Sequence, residues 1–116
     1  MAGGGDELSP VFEALVNEHR REIVLALAVQ PRSIGQLADL RGLSLPAMTK
    51  HVKVLEAAML VRRRKIGRTN ILALRRDPLR LLQSWVGNLN PWWGTDDESL
   101  ENYLEHLQPP STQESP

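Results

Sequence analysis

Cysteine is absent from all 116 residues. That removes thiol nucleophiles, disulfides and every zinc or iron site built on thiolates. Aromatic residues make up only 4% of the chain, and they are segregated. Trp85, Trp92, Trp93 and Tyr103 lie in the last third, and Phe12 stands alone near the start. The long middle of the chain therefore has no platform on which unpaired bases could stack, which argues against a binder of single strands or RNA. No apolar run approaches the roughly 18 residues of a membrane span. The opening Met1–Glu7 carries neither the basic nor the apolar region of a secretory signal. The expectation is a cytoplasmic protein with no membrane partner.

Net charge is missing too, at a formal zero, but the zero hides a segregation. Residues 17–76 hold 13 Lys and Arg against Glu18, Glu22, Asp39 and Glu56, a balance of +9. Residues 1–16 balance at −3 and residues 77–116 at −6. A basic centre between acidic ends suits a polyanionic partner, although a solvated basic face would show the same charges. The length predicts one domain over residues 9–107, with residues 1–8 and 108–116 as disordered ends. A core of that size is modest, so a partner is expected to cover further apolar surface.

Helix signals divide the first half. Ser9 before Pro10 reads as an N-cap opening a helix to about Val16. Asn17 caps a second helix, Glu18 to Val29, whose stripe is Ile23, Val24, Leu27 and Ala28. Ser33 caps a third over Ile34–Leu40, with Leu37, Ala38 and Leu40 inward and Gly42 as its stop. Ser44 caps a fourth, with Pro46 in its first turn, where a missing N–H costs nothing. Leu45, Met48, Val52 and Leu55 recur at helical spacing and are expected to share its buried face. Ala47, Thr49, Lys50, Lys53 and Val54 fall on the other side. A face of small and hydrogen-bonding residues with two lysines can approach base edges closely.

A basic ribbon follows that helix. Val61–Ile66 and Asn70–Leu74 read as strands joined through Gly67-Arg68-Thr69, glycine supplying the positive φ of a tight hairpin. Arg62, Arg63, Arg64, Lys65 and Arg68 charge it more heavily than protection of an edge strand requires. A helix that fits the major groove, followed directly by a basic hairpin, is the plan of a winged helix-turn-helix. The predicted class is thus mainly α with a small β-hairpin, five to six helices plus a two-stranded wing.

The tail returns to helix. Asp77-Pro78 opens a fifth, in which Leu79, Leu82, Val86, Leu89 and Trp93 alternate at +3 and +4, the spacing of a helix–helix seam. Asn90-Pro91 is expected to break or kink it. Thr95 and Glu98 have capping-box spacing, so a last helix is predicted over Asp96–Leu107, with Leu100, Tyr103, Leu104 and Leu107 as its apolar face.

The stretches Ala14–Val24, Ser33–Leu40 and Pro46–Glu56, followed by Leu60-Val61-Arg62-Arg63-Arg64, resemble the ArsR-type bacterial repressors. The resemblance spans roughly residues 10–107. It implies a dimeric winged helix-turn-helix that represses transcription from a near-palindromic operator, with the first and last helices at the dimer interface. Two departures stand out. Met59 occupies a place where the family commonly has glycine, so that turn is expected to form differently. The Asn90-Pro91 break interrupts a tail helix that is often continuous. Members that sense soft metals use cysteines, and others bind zinc through Asp and His on the tail helices. Here the tail offers carboxylates but only His106, so no metal and no cofactor are expected.

The residues expected at DNA are Ser44, Ala47, Thr49, Lys50, His51, Lys53, Arg64, Arg68 and Thr69. Those expected at the dimer interface are Phe12, Leu15, Leu79, Leu82, Val86, Leu89, Trp93, Leu100, Tyr103, Leu104 and Leu107. No acid–histidine pair stands at motif spacing with Ser44, so no enzyme is expected. The partners foreseen are duplex DNA, a second copy of the chain, and an effector, small molecule or protein, of unknown kind. A different reading is a winged-helix module whose basic face binds an acidic protein, but the outward face of the fourth helix offers no aromatic hot spot for one.

Overall fold

The computed structural model describes residues 6–89 and 95–107. The elements run α1 (Leu8–Leu15), α2 (Glu18–Val29), β1 (Arg32–Ser33), α3 (Ile34–Arg41), α4 (Leu45–Ala57), β2 (Val61–Ile66), β3 (Thr69–Leu74), α5 (Asp77–Gly87) and α6 (Asp96–Leu107). They divide into two compact units, residues 1–84 and 85–116, with the boundary inside α5.

Side-chain caps set most helix starts in the first unit. The Asn17 side chain accepts from the Arg20 N–H at 3.2 Å. Ser33 and Gln36 form a reciprocal capping box at 3.0 and 2.9 Å. Ser44 Oγ accepts from the Ala47 N–H at 3.3 Å. The expected Ser9 cap is corrected. Asp6 Oδ1 takes the Ser9 N–H at 3.3 Å and the Ser9 hydroxyl at 2.7 Å, so the helix begins at Leu8, ahead of Ser9. A carboxylate accepts two donors at once and suits the positive end of the helix dipole.

Successive helices α3 and α4 end in the same way. Leu43 N–H donates to Ala38 O at 2.9 Å and Gly42 N–H to Asp39 O at 3.3 Å, while Leu60 N–H donates to Leu55 O and Met59 N–H to Glu56 O, both at 2.9 Å. Each is a Schellman pair around one left-handed residue. In α3 that residue is Gly42, φ 66°, and in α4 it is Met59, φ 63°. Met59 thus adopts the conformation that its side chain disfavours, and the expectation of a differently formed turn is overturned.

The sheet is antiparallel in the order β1-β3-β2, which adds a strand to the expected two-stranded wing. Arg32 pairs with Leu72 and Ser33 with Ile71, so the two residues before α3 anchor the base of the hairpin. Across the hairpin, Val61 faces Leu74 and Ile66 faces Thr69, leaving Gly67-Arg68 as a two-residue turn with Gly67 at φ 63°. Buried side chains meet in one core, with Val11 and Ala14 from α1, Ile23 and Leu27 from α2, Leu37 from α3, Met48, Val52 and Leu55 from α4, Leu60 just before β2 and Leu72 from β3. Leu15, Leu79 and Leu82 pack against it and are half-buried.

Three apolar residues expected inside are exposed: Leu40, Leu45 and Ala28. Leu40 lies off the stripe set by Ile34, Leu37 and Ala38. Leu45 occupies the first position of α4, where the side chain leans back past the helix start and beyond the core.

Helix α5 ends at Gly87. Asn88 N–H then donates to Trp85 O and Leu89 N–H to Val86 O, which places Leu89 past the helix end and corrects the expected continuation of the seam. Asn90, Pro91, Trp92 and Trp93 lie outside the described residues. In the second unit, Thr95 and Glu98 cap α6 reciprocally at 3.2 Å, as the sequence predicts. Leu100, Tyr103, Leu104 and Leu107 of α6 are each about half exposed.

Candidate nucleic-acid interface

Met48, Val52 and Leu55 bury one side of α4 completely, which fixes the other side outward. Lys50, Lys53 and Val54 are exposed there, and Ala47 and Thr49 are half-buried beside them. No residue on this face is large and apolar enough to hold the helix away from a groove floor. Ser44 is exposed at the helix start, and its hydroxyl keeps a donor after accepting from Ala47.

The five charges of the hairpin are not alike. Alternation puts Arg63 and Lys65 on the side of Val61, and Arg62, Arg64 and Ile66 on the other. Arg63 is a strut: its Nε and Nη2 donate to the two carboxylate oxygens of Glu56, both at 3.0 Å, and tie the wing to the last turn of α4. A bidentate pair fixes orientation as well as distance. Arg62, Arg64, Lys65 and Arg68 are exposed, and none makes an ion pair with a described residue. Arg62, Arg64, Ile66, Ile71 and Ala73 join Arg63 and Pro31 around a cleft of about 330 Å3.

Other arginines of the basic middle are engaged with backbone carbonyls, Arg21 and Arg76 while themselves exposed. The last turns of α1 and α2 carry no basic residue, so their orphan carbonyls are met from further along the chain. Arg20 donates from Nε to Ala14 O at 2.7 Å and from Nη2 to Glu13 O at 3.3 Å. Arg21 Nη1 reaches Leu15 O at 2.8 Å and Val16 O at 3.0 Å. Arg32 Nε reaches Ala26 O at 3.0 Å, and Arg76 Nη2 reaches Ala28 O at 3.3 Å. By sequence alone these count as surface charge. The signal that could have found Arg20, Arg21 and Arg32 is a basic residue just past a helix lacking any in its last turn; Arg76, 48 residues from Ala28, gives no such signal.

His51 turns out to be engaged. Its Nδ1 accepts from Arg20 Nη1 at 3.1 Å, and its ring centroid lies 5.5 Å from that of His19. His19 Nδ1 in turn accepts from Arg41 Nε at 3.1 Å. Arginine can only donate, so both rings accept at Nδ1 and carry their proton on Nε2. Burial, then the charge of Arg20, then His19, hold His51 below the ordinary histidine value of 6.5. Only Nε2 of His51 remains for a phosphate.

The structure therefore brings Ala47, Thr49, Lys50 and Lys53 together on α4 with Ser44 at its N-cap, and places Arg64, Arg68 and Thr69 on the hairpin that Arg63 holds to that helix. The residues expected at a dimer interface are divided. Leu15, Leu79 and Leu82 commit part of their surface to their own core, whereas Phe12, Val86, Leu89 and the apolar face of α6 are exposed. Trp93 lies outside the described residues. Among the described residues, no three His, Asp or Glu side chains converge as metal ligands, and no helix is long and apolar enough to cross a membrane.

Residues 15–64 match the family model described as a helix-turn-helix domain. The chain is 35% identical over 82 residues to the HTH-type transcriptional regulator Rv2034 of Mycobacterium tuberculosis, an alignment covering 71% of this chain and 74% of that one. Its fold is similar to that of an ArsR-like transcriptional regulator from Rhodococcus sp. RHA1, with a TM-score of 0.72 at 27% identity over 88% of this chain and 94% of that one. It is also similar to a homodimeric winged helix-turn-helix DNA-binding domain of Mb0332 from Mycobacterium bovis, a possible ArsR-family regulator. There the TM-score is 0.61 at 26% identity, over 76% of this chain and 91% of that one.

Proposed function

The chain belongs to the ArsR family of winged helix-turn-helix transcriptional regulators, and from that premise we propose a homodimeric repressor that holds a near-palindromic duplex and does not take soft metals as its signal. Helix α4 enters the major groove and the β2–β3 hairpin reaches the flanking groove or backbone. Ala47 and Thr49 are short enough to let the helix sit deep. Ser44 contacts the groove with them, Lys50 reaches a guanine edge or a phosphate, and Lys53, Arg64, Arg68 and Thr69 hold the backbone, which sets affinity and register more than sequence choice.

One observation carries the reading: the small, lysine-bearing face of α4 is exposed beside four hairpin cations that make no ion pair with a described residue, all on the same compact unit. Two copies are supported by apolar side chains that remain exposed within each unit, Phe12 and Leu81 in the first, Val86, Leu100 and Leu104 in the second. They are supported also by the homodimer that the M. bovis relative forms. Rejection of soft metals rests on the missing cysteine and on His106 being the single histidine of the tail.

The test is to sequence the duplexes that the full chain retains from a random-sequence pool, with and without added zinc, cadmium or arsenite. An inverted repeat, retained equally in all four conditions, is the expected result. A site without symmetry contradicts the dimer, failure to enrich any sequence contradicts operator recognition, and metal-dependent release contradicts the third part.

A further inference from the structure

Arg20 joins three helices through one guanidinium. It sits on α2, its Nε and Nη2 close the C-terminal carbonyls of α1, and its Nη1 donates to His51 of α4 at 3.1 Å. We propose that Arg20 is a positioning residue for DNA recognition: by donating to the neutral ring of His51 it fixes α4 upon α1 and α2, and the same bond makes sequence-specific binding sensitive to acid. This rests on the reading of α4 as the recognition helix and adds a regulation to it.

The bond exists only while His51 Nδ1 is an acceptor. Taking up a proton there turns the ring into a donor that faces a guanidinium which can only donate, so an attractive interaction becomes a repulsion between two cations. The other charged groups around the ring do not relieve it. His19 of α2 lies 5.5 Å away and is itself held by Arg41 of α3. Glu13 of α1 gives Arg20 its carbonyl while the residue stays exposed. Toward β2, the carboxylate of Glu56 is taken by Arg63. On α4 itself, the neighbours Lys50 and Lys53 add positive charge.

The sign follows from the direction of the shift. His51 is held below 6.5, so the folded chain binds this proton less readily than the unfolded chain. The contribution is present above about pH 6.5 and is lost as pH falls through the lowered value. Non-specific binding should move the other way, since a protonated His51 adds a cation near phosphate. Acid is therefore expected to narrow the gap between chosen and random DNA.

Two measurements on the full chain decide it. The first follows the histidine ring nitrogens by NMR without DNA. The wild-type ring of His51 should show the Nε2–H form and titrate below the ordinary value, and Arg20→Gln should move that midpoint upward. An unmoved midpoint, or an Nδ1–H form, overturns the network. The second compares affinity for a duplex recovered by the wild-type chain with affinity for random duplex, at about pH 8 and at a pH below the midpoint that the ring titration gives. The ratio should fall about tenfold in acid, the size expected for losing one charge-assisted hydrogen bond. His51→Asn keeps an acceptor oxygen near the Nδ1 position and cannot titrate, so whatever its basal affinity, its ratio should not change between the two pH values. An acid-independent ratio in the wild type, or an unaltered pH dependence in His51→Asn, refutes the proposal. Failure to retain any duplex at either pH refutes the DNA reading instead, and the ring titration still tests the network.

Discussion

Gly42 and Met59 hold the same left-handed conformation at the ends of successive helices, with φ 66° and 63°. That conformation costs a residue with a Cβ about 1–2 kcal/mol, partly offset because glycine loses more backbone freedom on folding. Met59 is 52% exposed, so its side chain recovers little by burial. Met59→Gly should therefore raise the stability of the chain by about 0.5–1 kcal/mol, read as a higher urea midpoint at unchanged slope. A lower midpoint would show that Met59 is held there by packing worth more than the strain. At this scale, helix starts were legible because a cap is a local bond between residues three apart, as at Asn17, Ser33, Ser44 and Thr95. The roles of the arginines were not. Arg63 and Arg64 are adjacent and chemically identical, and only strand alternation against Glu56 makes one a strut and leaves the other with no ion pair to a described residue.

Helix α4 and the hairpin are separable by their effect on DNA. If the helix reads bases, Lys50→Ala should cost about 1–3 kcal/mol on a selected duplex and relax preference at one position in each half-site. If the hairpin tip holds backbone, Arg68→Ala should weaken selected and random DNA alike. Its slope of log affinity against log salt should also shrink by about one unit for each phosphate no longer neutralised, so about two for a dimer. The reverse pattern, Arg68 setting base preference and Lys50 acting uniformly, would refute the assignment. Because an arginine in a narrow minor groove reads width, both A·T-rich and G·C-rich flanks belong in the comparison. The extent of α2 and the start of α4 were legible from caps and periodicity, and the hairpin from Gly67. Strand β1 was not, since two residues carry no period and Arg32-Ser33 becomes a strand only because β3 lies alongside. The end of α5 at Gly87 was missed for a related reason: the +3/+4 apolar spacing runs on to Leu89 and hides where the backbone stops coiling.

Within each unit, leucine and valine side chains are exposed. Val86 of α5 is 51% exposed, and a carboxylate there would be costly to bury in an apolar interface. Val86→Glu should shift the chain from dimer to monomer in sedimentation at micromolar concentration, with affinity for a selected duplex lost alongside. A wild-type chain that already sediments as a monomer would contradict the dimer outright. The most direct test of the central claim, that this face of α4 and its hairpin hold duplex DNA through its phosphates, is a salt series with the wild-type chain on random duplex. If Lys53, Arg64 and Arg68 from each of two copies neutralise roughly six phosphates, log affinity should fall linearly with log salt at a slope of about −5. Binding that ignores salt, or no binding at micromolar protein and low salt, would contradict the account.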